Sequence, residues 1–191
     1  MLHRFPGREK QTLPSVGRIG IVPINAMDAT FLERLALCLE ERFLFSCEVE
    51  RTLRVPSTSL NSVRKQMFLN TLVTRVVASA APIDGMRLAI TDFDLYKTSH
   101  QFIFGDANEE QRVAVVSLHR LRCDFYGERA DPNLLFQRTL KESVHDLGHA
   151  LGLKHCFNAR CAMYFSNSIY DTDNKLSHFC DGCEKRLRAS R

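Results

Sequence analysis

Three histidines in the stretch VHDLGHALGLKHC (144–156) have the spacing of ligands to one metal ion. His145 and His149 are four residues apart, so on a helix they project from one face, one turn apart. Gly152 can adopt the left-handed conformation that ends a helix, which lets the chain turn back and bring His155 to the same ion. Zinc binds neutral imidazole readily, and a catalytic site keeps one position open for water. The alternative, exposed or core histidines without a metal, does not account for Gly152 and His155.

Four cysteines follow the histidines and form two pairs whose spacing suits a second metal site. Cys156 and Cys161 are spaced C-x4-C. Cys180 and Cys183 are spaced C-x2-C, and the two pairs together fit a closed tetrahedral thiolate site. Two alternatives remain open, a pair of disulfides and a zinc ribbon that binds nucleic acid. His178 lies close to the second pair but is expected to be a bystander, because four cysteines already fill the shell.

The composition is that of an ordinary globular protein. The chain has 191 residues, 45% of them apolar and 25% charged, which favours one domain or one domain with a small lobe. No apolar run is long enough to span a bilayer, and residues 1–17 lack the apolar segment of a secretory signal. We therefore expect a cytoplasmic protein with reduced thiols, a flexible extension over 1–17, no membrane partner and, at a mild net charge of +4, no nucleic-acid partner. The scattered cysteines are expected to be small core residues: Cys38, Cys47 and Cys123.

Predicted strands and helices alternate along the chain, and their order indicates the sheet that must carry the histidines. Apolar and β-branched runs predict strands at 18–24, 46–55, 86–95, 101–107 and 112–121. Apolar residues at helical spacing, behind cap residues, predict helices at 28–43, 57–80 and 131–152. Such alternation favours an open α/β sheet that is largely parallel. The link NEEQ between the last two strands is too short for a crossover, so that pair is expected to be antiparallel, with QFIFGDA (101–107) at the sheet edge.

The helix predicted at 131–152 positions two of the histidines. Asp131 is a natural N-cap, and Pro132 suits the first helical position. The apolar stripe expected to face the core consists of Leu140, Val144, Leu147 and Leu151. His145 and His149 lie about 40° apart around the helix axis and point together from another face.

The segment from His145 onward resembles the metzincin zinc metalloproteases and, within them, the archaemetzincins. HDLGHALGLKH fits the elongated metzincin zinc motif with one departure. CFNARCAM and CDGC are similar to the four-cysteine signature of archaemetzincins, and QFIFGDA and YFSNSIY are weaker similarities. The resemblance implies a metzincin-like α/β fold with a twisted mixed sheet, mostly parallel with an antiparallel edge strand, an active-site helix and a small zinc-stapled C-terminal lobe. It implies an N-terminal subdomain over 18–152 and a C-terminal subdomain over 153–191.

For the site, the resemblance implies two zinc ions per chain and a peptide or protein substrate. The ligands of the catalytic zinc would be His145, His149 and His155. The ligands of the structural zinc would be Cys156, Cys161, Cys180 and Cys183. Met163, two residues after Cys161, would form the tight Met-turn beneath the catalytic zinc, a place where an ordinary core methionine would also pack.

Asp146 stands where the family carries the glutamate that takes a proton from the zinc-activated water. It has the same functional group one methylene short, which withdraws the carboxylate by roughly 1 Å. A misplacement of that size can cost on the order of 100-fold in rate. Glu142, one turn earlier, is too far back to replace it and is expected to be a surface or outer carboxylate. Zinc binding is therefore predicted, whereas the efficiency of catalysis depends on Asp146.

Three functions are compatible with these residues. The first is a zinc-dependent metallopeptidase that hydrolyses peptide bonds by a zinc-activated water, attenuated by Asp146. The second is a zinc-binding pseudoenzyme that binds peptide segments without cleaving them. The third is a zinc-ribbon nucleic-acid binder. The segment between the cysteine pairs, AMYFSNSIYDTDNKLSHF, argues against the third function because it offers one lysine and two aspartates.

Overall fold

The computed structural model describes residues 17–79 and 85–189, so the predicted flexible extension over 1–17 lies outside it except for Gly17. The strands are β1 (Arg18–Pro23), β2 (Ser46–Val49), β3 (Met67–Phe68), β4 (Met86–Thr91), β5 (Leu95–Lys97), β6 (His100–Ile103), β7 (Gly105–Asn108) and β8 (Val113–Ser117). The helices are α1 (Ala29–Phe43), α2 (Leu69–Ser79), α3 (Pro132–Ala150), α4 (Ile169–Asn174) and α5 (Asp181–Ala189).

The main sheet has five strands in the order β2-β1-β4-β8-β7. The first four run parallel to one another. β7 is antiparallel to β8, with Gly105 opposite Val116 and Asn108 opposite Val113. The expected mixed sheet, mostly parallel with an antiparallel edge strand, is therefore confirmed. The short link between β7 and β8 explains the exception, because parallel neighbours need a long crossover.

The predicted strand 101–107 is wrong as a single strand, since it divides between two sheets. β6 pairs antiparallel with β5, which also pairs with β3, in a separate three-stranded sheet. Of these strands only β7 belongs to the main sheet, where it forms the edge opposite β2. The division falls at buried Phe104, whose carbonyl oxygen accepts a hydrogen bond from the Ser117 N–H at 2.8 Å. The edge strand that faces the site therefore begins at Gly105.

Helices cover both faces of the main sheet. On one face α1 and α3 pack against alternate strand residues, among them Ile21, Leu88 and Val116. On the other face α2 packs against their neighbours, such as Val22 and Ala89. Successive side chains of a strand point to opposite faces, so the central strands β1, β4 and β8 are buried on both sides and are mainly apolar. Their polar residues are Arg18, Arg87, Thr91 and Ser117. The apolar runs between these residues made the central strands predictable.

The predicted helix 57–80 is wrong in its first half, because α2 begins at Leu69. Asn61 Oδ1 accepts a hydrogen bond from the Val63 N–H at 3.1 Å, and Lys65 has a φ of +57°. Such local side-chain bonds compete with helix formation and make a turn instead. Val63, an apolar residue within the predicted helix 57–80, is 89% exposed. The predicted strands 46–55, 86–95 and 112–121 are also too long, since β2, β4 and β8 end at Val49, Thr91 and Ser117.

α3 begins where the sequence predicts and carries two of the three histidines. Asp131 Oδ1 accepts hydrogen bonds from the N–H groups of Asn133 and Leu134 at 2.9 and 3.0 Å. The helix ends at Ala150, and Gly152 follows with a φ of +86°, the left-handed conformation expected for it. In the predicted stripe, the buried residues are Leu140, Val144 and Leu147, while Leu151 is half-buried.

The chain after Gly152 packs against the same core as α1 and α3. Ala162, Met163 and Phe179 are buried in that core, and α5 adds Leu187 to it. The predicted subdomain boundary between 152 and 153 stays a prediction. Within the described residues, none of the helices combines the length and apolar character that crossing a membrane requires.

Candidate metal centre and active site

The three predicted histidines come together in what we call the histidine centre, formed by His145, His149 and His155. One ring nitrogen of each lies within 4.8 Å of the other two. His145 Nε2 and His149 Nε2 are 3.1 Å apart. Tetrahedral zinc with Zn–N bonds of about 2.0–2.1 Å places its nitrogen ligands about 3.4 Å apart. The donor type and the spacing of the histidine centre therefore fit zinc.

Two backbone carbonyls fix the orientation of the helical histidines. His145 Nδ1 is 2.8 Å from the Ala162 carbonyl oxygen, and His149 Nδ1 is 2.8 Å from the Leu153 carbonyl oxygen. Because a carbonyl oxygen can only accept, each Nδ1 carries the proton and donates it. Each Nε2 then keeps a free lone pair that faces the other histidines, which is how protein groups commonly orient imidazole ligands.

The electrostatic surroundings keep the histidine centre neutral. Burial, followed by the charge of Lys175, lowers the pKa of His145 to about 3. Burial is also the main cause of the lowered pKa values of His149 and His155. Neutral imidazole is the form that binds a metal, so these shifts favour binding at neutral pH.

Met163, the residue predicted to form the Met-turn, lies against α3. It is fully buried, and a Cβ built on Gly148 would lie only 2.5 Å from its sulfur. The Met163 carbonyl oxygen accepts a hydrogen bond from the Cys156 N–H at 2.9 Å. Met163 therefore fills the space between α3 and the chain that follows His155.

The Asp146 carboxylate is buried against the edge strand. A Cβ built on Gly105 would lie 2.0 Å from Asp146 Oδ2, so only glycine leaves room for this carboxylate. Asp146 is 3% exposed, and its Oδ2 has no hydrogen-bond partner among the described residues. Burial, and then the charges of Glu142 and Asp106, raise the pKa of Asp146 well above its ordinary value. This carboxyl group is therefore a buried proton-binding group beside the histidine centre, in contact with β7.

Glu142 was expected at the surface or in the outer surroundings of the histidines. The surface position is wrong, because its side chain is almost completely buried. Its Oε1 accepts hydrogen bonds from Thr172 Oγ1 at 2.6 Å and from Ser166 Oγ at 3.2 Å. The fully buried Lys175 Nζ lies 3.1 Å from Oε1 and 3.2 Å from Oε2. Glu142 therefore joins α3 to the C-terminal part of the chain.

The four predicted cysteines form a second group, the cysteine cluster of Cys156, Cys161, Cys180 and Cys183. The sulfur atoms of Cys156 and Cys180 are 3.7 Å apart, as are those of Cys161 and Cys183. Tetrahedral zinc with Zn–S bonds of about 2.3 Å places its thiolates about 3.8 Å apart, whereas a disulfide requires about 2.05 Å. The cluster therefore fits zinc and not a pair of disulfides.

The remaining cysteines and His178 lie outside both centres. Cys123 is buried, and Cys38 and Cys47 are half-buried against the core. His178 contributes its backbone carbonyl oxygen to the Ala162 N–H at 2.8 Å, and its ring is not part of the cysteine cluster. Cys123 is therefore buried as predicted, whereas Cys38 and Cys47 lie at the margin of the core and not within it.

Two charged pairs near the centre were not predicted. Lys97 Nζ on β5 lies 2.5 Å from Asp106 Oδ2 on β7. The second pair is Lys175 with Glu142. A sequence signal existed for Glu142, which is three residues before His145 and so lies near the face of α3 that carries the histidines. No comparable signal marked Lys97 or Lys175.

The chain is similar to several known proteins. The profile of Peptidase family M54 matches residues 56–189. An archaemetzincin of Methanocaldococcus jannaschii is 37% identical over 171 residues, which are 90% of this chain and 93% of that protein. An archaemetzincin of Thermococcus kodakarensis is 53% identical over 100 residues, and this match spans 52% of the chain and about half, 54%, of the relative.

A solved structure shares the fold. The zinc-dependent peptidase of Methanocorpusculum labreanum superposes with a TM-score of 0.81 at 26% identity, covering 88% of this chain and 99% of that one. The profile match covers well over half of the sequence and includes every residue of the histidine centre and the cysteine cluster. The chain therefore belongs to peptidase family M54, the archaemetzincins.

Proposed function

We propose that this chain is a zinc-dependent metallopeptidase that hydrolyses bonds in peptide or protein substrates. The observation that supports this most is the histidine centre, where His145 and His149 each donate from Nδ1 to a carbonyl oxygen and direct Nε2 to a common point. Zinc held there supplies Lewis-acid chemistry, since it polarises a carbonyl group and makes water a better nucleophile at neutral pH. Family membership supports the same activity.

Asp146 is proposed to be the general base of the reaction. Its buried Oδ2 has no hydrogen-bond partner among the described residues and can therefore accept a proton. Its shorter side chain keeps the carboxylate beside Gly105 and about 1 Å farther back than a glutamate would. We infer an attenuated enzyme, because a displacement of about 1 Å can cost on the order of 100-fold in rate.

Two zinc ions per chain are proposed, one in each centre. The cysteine cluster offers four sulfur donors and leaves no position for water, which is typical of a structural site. Its zinc would hold the chain after Gly152 in place and take no part in hydrolysis.

The substrate is proposed to add to β7 as a further strand. The Phe104 carbonyl oxygen accepts a hydrogen bond from the Ser117 N–H, and alternate residues after it direct their backbone groups to β8. The residues between them, Gly105 and Ala107, direct their backbone N–H and C=O groups to the free edge. A peptide in an extended conformation can bond to such an edge. The Ala107 N–H is bonded to Asp106 Oδ1 at 2.9 Å, so a substrate would have to displace that side chain to use this donor.

A second candidate function is a pseudoenzyme that binds zinc and peptides without cleaving them. The burial of Asp146 against Gly105 favours it, because a carboxylate held by the edge strand is less free to follow a proton through the reaction. The two candidates share both metal centres and the substrate edge. They differ only in whether a peptide bond is broken.

Digestion of a mixed peptide library separates the two functions. Zinc-loaded protein should produce new peptide termini in mass spectra, and a chelator should stop this until zinc is added back. His149→Ala should abolish cleavage and remove one of two zinc ions in elemental analysis, while circular dichroism stays unchanged. Peptide binding without any new termini, for both the wild type and Asp146→Glu, would establish the pseudoenzyme instead.

A further inference from the structure

A polar seam joins α3 to the segment that contains α4. Arg138 makes two hydrogen bonds of 2.7 Å to the Asp173 carboxylate. Lys141 Nζ donates to the carbonyl oxygens of Thr172 and Asp173 at 3.1 and 2.8 Å. One residue further along the helix, Glu142 binds Thr172 and Lys175, and this last pair is the most deeply buried part of the seam.

The Glu142–Lys175 pair differs from the rest of the seam because it also reaches the Met-turn. Besides Glu142, Lys175 Nζ contacts the Tyr164 carbonyl oxygen at 3.4 Å. The preceding carbonyl oxygen, of Met163, accepts from the Cys156 N–H. The one before that, of Ala162, accepts from His145 Nδ1. Three consecutive carbonyls of this turn are thus bound by the buried lysine, the cysteine cluster and the histidine centre.

We propose that Glu142 and Lys175 are positioning residues for the histidine centre. They hold the 162–164 turn against α3 so that the Ala162 carbonyl keeps His145 Nε2 directed at the common metal position. The inference rests on the proposed function in one respect, namely that the histidine centre binds zinc. It adds two residues that neither touch the metal nor belong to the zinc motif.

Attachment of the α4 segment to α3 does not by itself explain why Glu142 and Lys175 are buried. A buried ion pair loses its hydration, and apolar residues of similar volume are often equally stabilising or better. The segment with α4 is already attached to α3 by Arg138, Lys141 and Asp173. Because Asp173 is partly exposed, this part of the seam loses less hydration. Only the buried pair supplies a cationic donor to the Tyr164 carbonyl oxygen, which is Lys175 Nζ. The Glu142 carboxylate holds this lysine in place.

The test compares two double variants of the full-length, zinc-loaded chain. Glu142→Gln/Lys175→Met removes both charges of the buried pair and leaves no unpaired charge in the interior. The matched control, Arg138→Met/Asp173→Asn, removes the neighbouring pair of the same seam, which does not contact the 162–164 turn. Zinc affinity of the histidine centre is measured by competition with a chromophoric chelator, with the cysteine cluster kept filled. The His145 ring N–H signal is followed by NMR, and thermal unfolding gives the stability of each variant.

We expect the first variant to bind zinc at the histidine centre about 10- to 100-fold more weakly, the range found when partners of metal ligands are lost. Its His145 Nδ1–H signal should exchange with solvent, while the control keeps the wild-type affinity and signal. Equal affinities in the wild type and the first variant would overturn the inference, as would an equal loss in the control. If the first variant does not fold, Thr172→Val, which removes only the hydroxyl donor to Glu142, replaces it with the same two readouts. A wild type without zinc at the histidines would overturn the proposed function as well.

Discussion

At position 146 a carboxylate one methylene shorter than glutamate lies between α3 and the edge strand. Its surroundings suit the binding of a proton, since burial and, after it, the charges of Glu142 and Asp106 raise the pKa of this carboxyl group. The backbone of Gly105 sets one wall of this space. The chemistry at residue scale therefore depends on how far the carboxylate reaches from that wall.

Substitutions of Asp146 test its role as the base. Asp146→Asn should lower kcat by up to about 100-fold, because general-base catalysis contributes up to roughly 10,000-fold and the short side chain already costs on the order of 100-fold. Asp146→Glu should raise kcat by bringing the carboxylate forward by about 1 Å, a displacement that can change rates on the order of 100-fold. Steady-state kinetics on a cleaved library peptide measures both effects, which should appear in kcat more than in KM.

Zinc content serves as the control for these variants and should stay at the wild-type value, because Asp146 is next to a ligand without being one. A fall in kcat for Asp146→Glu would mean that the space beside Gly105 cannot take the additional methylene. The shorter residue would then be adapted to this site and not an attenuated version of glutamate.

At the scale of helices and strands, the sequence predicts those elements whose signals are local. The cap at Asp131, the apolar stripe of α3 and the turn at Gly152 all depend on neighbouring residues, and α3 is predicted almost to its ends. The division of 101–107 at Phe104 depends on the strands with which each half pairs, β5 for β6 and β8 for β7. No local sequence pattern predicts this pairing. The burial of Lys175 likewise depends on Glu142, 33 residues away.

The edge strand leads to a prediction about substrate affinity. Ala107→Pro removes an N–H that faces the free edge, so KM should rise about five-fold, the equivalent of about 1 kcal/mol for one net hydrogen bond. Ala107→Ser keeps the N–H and is the matched control. Proline at Ile103 would not test the edge, because Ile103 belongs to β6, and Gly105 has no room for a Cβ. An unchanged KM for Ala107→Pro would place the substrate elsewhere.

The contact between α3 and the Met-turn gives a second prediction at this scale. Gly148→Ala places a Cβ 2.5 Å from the Met163 sulfur, so it should lower stability by about 1–3 kcal/mol, the usual cost of overpacking. Thermal unfolding of the zinc-loaded protein measures it. Gly182→Ala in α5 is the control, because its Cβ would meet nothing closer than 4.0 Å. A neutral result for Gly148→Ala would mean that Met163 moves aside freely.

At the scale of the whole molecule, the histidine centre and the cysteine cluster are not independent. His155 and Cys156 are adjacent in the chain, and the Cys156 N–H is bonded to the same turn that orients His145. The cysteine cluster therefore helps to build the histidine centre, although its sulfur atoms form a separate group.

Loss of the cysteine cluster should consequently affect both metals. Cys180→Ser/Cys183→Ser should lower the thermal stability of the chain, because binding of structural zinc is coupled to folding. The same variant should also bind zinc more weakly at the intact histidines. Elemental analysis and chelator competition measure the two effects. Retention of one tightly bound zinc would show that the two groups act separately. His149→Ala is the reciprocal control, because it should keep the zinc of the cysteine cluster.

The covalent link between His155 and Cys156 also couples the assembly of the histidine centre to that of the cysteine cluster. Their Cα atoms are only about 3.8 Å apart, so a chain whose cysteines already hold their ion has fewer conformations open to His155. Part of the entropy loss of assembling the second centre then occurs with the first. This help is mutual, because coupling between two sites is reciprocal, so whichever group closes first lowers the entropy cost of closing the other.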